Sequence, residues 1–141
     1  MSITQVTLFD GARVPIADYR PVWLNNLADD VTIEGSAMNG VAQGSEAVRS
    51  IVTFIRTLYD SQEFTFAGPY GENRFLEDYI AHVRGEELGN VVLITRNEAG
   101  QAQHIVADYR PRTTLLLVSR LIGEHFAGTP YGEYFASGAP E

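Results

Sequence analysis

The sequence predicts an α+β domain, with helices packed against one face of a strongly bent antiparallel sheet. From Glu63 to Arg110, apolar residues recur with a period of two, in four runs separated by Gly-containing turns. Just before them, Glu46–Tyr59 carries the clearest helical period in the chain, and just after them RTTLLLVSRLIGEHF repeats it. Consecutive strands joined by short turns, with helices kept apart from them, describe α+β and not an alternating parallel sheet.

Residues 1–18, punctuated by Gly11 and Pro15, show no period and read as an irregular N-terminal segment. Pro21 opens a short predicted helix, VWLNNLADD, in which Trp23, Leu24, Leu27 and Ala28 share a side. VTIEG (Val31–Gly35) alternates like a half-buried strand, and the small-residue loop SAMNGVAQG leads into the long helix. Ser45 stands where an N-cap oxygen would accept from the first amides, and Glu46 complements the helix dipole. Val48, Ile51, Val52, Ile55, Leu58 and Tyr59 make the apolar stripe; Arg49, Ser50, Thr53 and Arg56 take the wet side. EFTFAG, RFLEDYIAHVR, NVVLITR and AQHIVADYR read as strands, with GEELGN and NEAGQ as turns. Leu117, Leu121, Ile122 and Phe126 are packing positions of the last helix. Residues 127–141 are read as an irregular tail lying over the surface or a partner.

Composition narrows the chemistry. The 141 residues suit one domain, 1–141, with no linker or repeat to divide it. There is no cysteine, which removes disulfides, thiolate metal sites and a cysteine nucleophile. All ten basic residues are arginine, so a Schiff-base lysine is excluded. A GxxxxGK[ST] phosphate loop and a GxSxG elbow are absent, as are HxxxH and HExxH metal spacings. The formal charge of −8 disfavours nucleic acid and anionic membrane surfaces as partners. No stretch has the length of a membrane span and the N-terminus lacks a signal-peptide pattern, so a cytoplasmic location is expected.

ADYRP occurs at Ala17–Pro21 and again at Ala107–Pro111. Each copy precedes a predicted helix, and proline at a helix start forfeits an amide that would be unpaired there anyway. The flanking sequences share nothing, so the pentapeptide is one helix-starting device used twice.

The text LADDVTIEG…GVAQGSEAVRSIV, with NEAG before a final strand ending in Tyr-Arg-Pro, resembles SnoaL-like proteins of the nuclear transport factor 2-like (cystatin-like) superfamily. The resemblance covers roughly Leu27 to Phe126. It implies a cone with an apolar pocket between helices and concave sheet, and a homodimer formed through the outer sheet face. It also allows three family chemistries to be tested. Ketosteroid isomerases carry a basic aspartate at the end of the first strand and a protonated aspartic acid on a later one; the matching positions here are Gly35 and Val92. Limonene epoxide hydrolases hold water with Tyr-x-Asn, here Ile33-x-Gly35, and their Arg-x-Asp corresponds to Asp78 and Ile80. Their aspartate before a tyrosine on the last strand survives as Asp108-Tyr109. SnoaL-type cyclases use an acid–base aspartate with a nearby histidine.

Side chains two apart on a strand share a face. Asp78, Ile80, His82 and Arg84 therefore lie together, as do His104, Val106, Asp108 and Arg110. If Asp108 faces the pocket, as the resemblance implies, it is a candidate general acid or base, with His82 or His104 as orienting group or second proton carrier. His104 and Asp108 cannot pair directly, being about 13–14 Å apart along a strand. On the alternative reading that face is wet, and Phe75, Tyr79, Val83, Ile105, Ala107 and Tyr109 form the core face. Tyr19 and Trp23 are candidates for capping the pocket mouth. Asp78, Ile33, Val92, Val106 and Arg110 complete the candidate ligand contacts. Arg110 could equally pair with a carboxylate near the last helix. No metal and no cofactor are expected. The expected ligand is a small, largely apolar molecule. Two roles stay open: a non-catalytic binding module, and a cofactor-free acid–base enzyme using Asp108 with a histidine.

Overall fold

A computed structural model describes residues 5–8 and 11–135. The chain begins with a small hairpin of β1 (Gln5–Thr7) and β2 (Arg13–Pro15), so the N-terminal segment holds strands that aperiodic sequence did not announce. Two short 3-10 turns follow, Ile16–Asp18 and Val22–Asn25. The second replaces the expected helix after Pro21. LADD belongs instead to β3 (Leu27–Gly35), where Leu27, Ala28, Val31 and Ile33 are buried.

The main sheet has the order β4-β3-β8-β7-β6-β5, with β4 at Ala42–Gln43, β5 at Ser61–Pro69, β6 at Arg74–Val83, β7 at Glu86–Arg96 and β8 at Ala102–Arg110. The β5–β8 meander is antiparallel, as alternation predicted. The β3–β8 pair is parallel, which makes the sheet mixed. GEELGN is not a turn: its residues from Glu86 on extend β7, and the hairpin closes at Arg84-Gly85. Both turn residues have positive φ (53° and 81°), the requirement of a two-residue hairpin loop matching the strand twist. Register shifts in β5, between β7 and β8, and between β3 and β8 add local bends, consistent with a curved sheet.

Helix α1 (Ser45–Thr57) and helix α2 (Arg112–His125) carry the buried positions that cover the sheet. Gly44, not Ser45, is the N-cap of α1. Val48 and Ile51 are fully buried there, each worth about 1.5–3 kcal/mol relative to exposure. Ser119 donates to the Ala37 carbonyl (2.7 Å) and Thr114 to that of Glu87 (3.0 Å), tying α2 to the loop after β3 and to β7. The tail up to Phe135 folds back on its own domain: Phe135 is buried, and the Asn39 amide donates to Tyr134 (2.6 Å). Residues 1–4, 9–10 and 136–141, parts of the two segments read as irregular, lie outside the described residues.

Candidate functional site

Alternation decides what the sheet offers to each side. On β6, Phe75, Glu77, Tyr79, Ala81 and Val83 are buried, while Leu76, Asp78, Ile80 and His82 are half-exposed. On β8, Ala102, Ile105 and Tyr109 point inward, and His104, Val106, Asp108 and Arg110 point outward. The inward faces of β3, β6, β7 and β8 and the apolar stripe of α1 enclose a narrow hollow with about 50 Å³ of space open to the centre of a water molecule. Ile33, Val92, Ile105 and Ala107 line it from the sheet, and Ile51, Val52 and Ile55 from the helix. Trp23 and Leu24 close one side, and Phe135 borders it from the tail.

Among the described residues, the buried carboxyl that lines this greasy space is Glu77, which is 1% exposed, while half-exposed Glu34 also borders it. It lies opposite Val92 on β7 and Ala67 on β5. The Tyr19 hydroxyl and the Trp23 indole N–H (3.0 Å) both donate to its Oε2. Tyr19 is itself held between aromatic rings, edge-on to Phe64 and stacked on Phe75. Burial raises Glu77 from the ordinary 4.5 to about 7, against the opposing pull of its two hydrogen bonds and of the Arg56 guanidinium. Burial likewise pushes Tyr19 well above its usual range, and the charge of Glu77 adds to that rise.

A second polar group lies alongside. Tyr79 is two residues from Glu77 on the same face of β6, about 7 Å along the strand. Its hydroxyl meets that of Tyr59 (2.6 Å) and accepts from Asn90 Nδ2 (2.7 Å) on the adjacent strand. Tyr109 joins this cluster from β8, and burial raises it to about 12. Asn90 is 1% exposed, and its Oδ1 is a buried acceptor with no hydrogen-bond partner among the described residues. Such a group costs stability unless water or a ligand satisfies it.

The sequence-derived candidates divide between the two sides of the sheet. Ile33 and Val92 line the hollow, and Tyr19 and Trp23 meet at Glu77. Asp108, His82 and His104 do not face the hollow. Asp108 is exposed beside Val91 on the outer side, which corrects the premise that made it a proton carrier in an apolar pocket. His104 is engaged outside by Glu34 (3.0 Å) and Thr32 (2.5 Å), and His82 by Ser61 (2.9 Å). Val106 also points outward. Arg110 pairs with Asp78 (3.1 Å), not with a carboxylate near the last helix. Its guanidinium packs over Gly89, where an added Cβ would come within 2.5 Å of the Arg110 Cζ.

Neither Glu77 nor Asn90 stands among the sequence-derived candidates, because charged and amide side chains are mostly exposed. Their phase was available: Glu77 alternates with Phe75 and Tyr79, and Asn90 with Val92 and Ile94. Gly35 is glycine for a steric reason, since a Cβ there would lie 1.8 Å from the Ala107 carbonyl oxygen. No side chain fits where the isomerase pattern would put its aspartate.

No protein-family model and no curated protein matches the sequence. Solved structures do resemble the fold. An uncharacterised bacterial protein with a cystatin-like fold from Silicibacter pomeroyi superposes with a TM-score of 0.70 at 18% identity, covering 76% of this chain and 75% of its own. A steroid delta-isomerase from Pseudomonas aeruginosa gives 0.69 at 16% identity, over 74% of this chain and 77% of its own. A de novo designed protein with a curved β-sheet gives 0.57 at 19%, over 69% and 78%. The chain has the cystatin-like, nuclear transport factor 2-like fold that the SnoaL resemblance implies.

Proposed function

We propose that this chain binds a small, largely apolar molecule in the hollow and moves a proton on it without a cofactor, with Glu77 as the proton carrier. The observation that supports this most is the carboxyl itself: a fully buried glutamate, raised to about 7, in a hollow otherwise lined mostly by apolar side chains. A group with that value is populated in both protonation states near neutrality, as an acid–base catalyst requires. Among the described residues no donor reaches its Oε1, which leaves that oxygen for a ligand. The ionised carboxylate would take a proton from a carbon next to a carbonyl. The C–H electrons would move into an enolate, whose oxygen accepts from the tyrosine hydroxyl cluster. Glu77 would then return the proton to another carbon of the delocalised system, leaving the enzyme unchanged. The open acceptor at Asn90 suits a ligand that also carries a hydroxyl or amide donor.

A binding module without turnover is the second reading. It is favoured by both donors converging on Oε2, which makes Glu77 a clasp for Tyr19 and Trp23. Deuterium exchange separates the two. With cyclohexanone and 2-octanone in deuterium oxide, proton transfer predicts protein-dependent exchange next to the carbonyl that Glu77→Gln abolishes. Exchange no faster than in buffer, with ligand bound according to the fluorescence of the sole tryptophan, Trp23, leaves the binding module.

We also propose that the outer sheet face packs on a second copy. Leu76, Ile80, Val91, Leu93 and Val106 are half-exposed there. Sedimentation should give a dimer that Leu93→Glu dissociates; a monomeric wild type would refute the assignment.

A further inference from the structure

The mouth of the hollow carries a cation of its own. Arg56 sits on α1 one residue past buried Ile55, at the border between the apolar stripe and water. Among the described residues it is the one arginine that lines the hollow. Together with Gln62 it also borders a surface recess formed with Arg20, Pro21, Glu63 and Phe64. Arg20 is engaged by backbone, donating to the carbonyls of Tyr19 (2.7 Å) and Ala17 (3.4 Å). The Arg56 guanidinium forms no ion pair or hydrogen bond with any described residue, although Glu63 borders the same recess. Glu34, the other carboxylate near the hollow, is held by His104. A protein of formal charge −8 thus places an unpaired guanidinium and a neutral amide at the rim of an apolar space.

We infer that the molecule taken by the hollow is an amphiphile with one carboxylate, its apolar body inside and its carboxylate on Arg56. This rests on the reading that the hollow binds a small, largely apolar molecule, and adds the ligand's charge. A guanidinium matches a carboxylate in shape and hydrogen-bond donors, and at a partly dried rim the pair is screened less than in water. The buried end of the site supports the same assignment. Arg56 acts by its charge on Glu77, so a carboxylate seated on Arg56 removes a favourable interaction from ionised Glu77. The groups facing Glu77 are Tyr19, Trp23, Arg56 and Tyr79, and Arg56 is the cation among them. Seating the carboxylate should therefore draw a proton onto Glu77.

Three chain-matched probes test the inference: octanoate, octan-1-ol and octylamine, titrated against Trp23 fluorescence. The expected result is that the octanoate-to-octanol affinity ratio falls about fivefold in Arg56→Gln, the worth of one partly exposed ion pair. Octylamine should bind more weakly than octanol to the wild type. Octanoate affinity should decline as pH rises through about 7, and Glu77→Gln should flatten that decline. Octanol binding with a ratio indifferent to Arg56→Gln overturns the inference and leaves the apolar hollow standing. Octylamine binding as tightly as octanoate overturns it in the wild type alone. Failure of every probe to bind overturns the inference together with the reading beneath it.

Discussion

Replacing Glu77 by Gln removes the ionisable group and keeps an acceptor for Tyr19 and Trp23. In the folded chain, burial holds the carboxyl at about 7 against the ordinary 4.5. The folded state therefore binds this proton more tightly than the unfolded chain does, and stability falls as pH rises. The contribution is complete below about pH 4.5 and lost as pH passes through about 7. The difference is worth about 3 kcal/mol. In Glu77→Gln the loss is missing, whereas every other titrating group is common to both proteins and cancels in the comparison. Urea unfolding of both proteins from about pH 5 to 8.5 should show the variant gaining about 2.5 kcal/mol on the wild type across that range. For a chain of this size that is a relative rise in melting temperature of about 10 °C. Parallel curves for the two proteins would refute the burial argument, because an exposed or charge-paired carboxyl yields no such divergence.

Two further substitutions probe the frame around the hollow. Gly35→Ala should cost at least about 3 kcal/mol in urea unfolding or prevent folding, because its Cβ meets the Ala107 carbonyl oxygen at 1.8 Å and β3 must move off β8. Asp108→Asn, on the exposed outer side, should leave stability within about 0.5 kcal/mol and ketone exchange unaltered, as unfolding curves and deuterium incorporation would show.

Much of the fold was legible because period is a physical signature: residues alternating across a strand or recurring along a helix must bury one face. The meander and both helices came from that signal, and five of the six main-sheet strands were expected, β5, β6 and β8 to within two residues at each end. What failed had local causes. LADD looked helical from Leu27 and Ala28, yet both lie on β3, where pairing with β8 depends on partners far along the chain. GEELGN looked like a turn by composition, but two residues suffice when both adopt positive φ, and the rest joined β7. The site suffered from a different error. Charged side chains are mostly exposed, so Glu77 was passed over within an alternation that placed it inside, while the family pattern drew attention to Asp108. The sequence already put Glu77 in phase with Phe75 and Tyr79. It could not show that Tyr19 and Trp23, more than fifty residues away, would supply the hydrogen bonds that make its burial tolerable.

The most direct measurement is a carbon NMR titration of the Glu77 side-chain carboxyl in the isotope-labelled protein, assigned with Glu77→Gln. A midpoint near 7 is predicted, moving upward when octanoate is bound. A midpoint near the ordinary 4.5 would contradict a buried proton carrier.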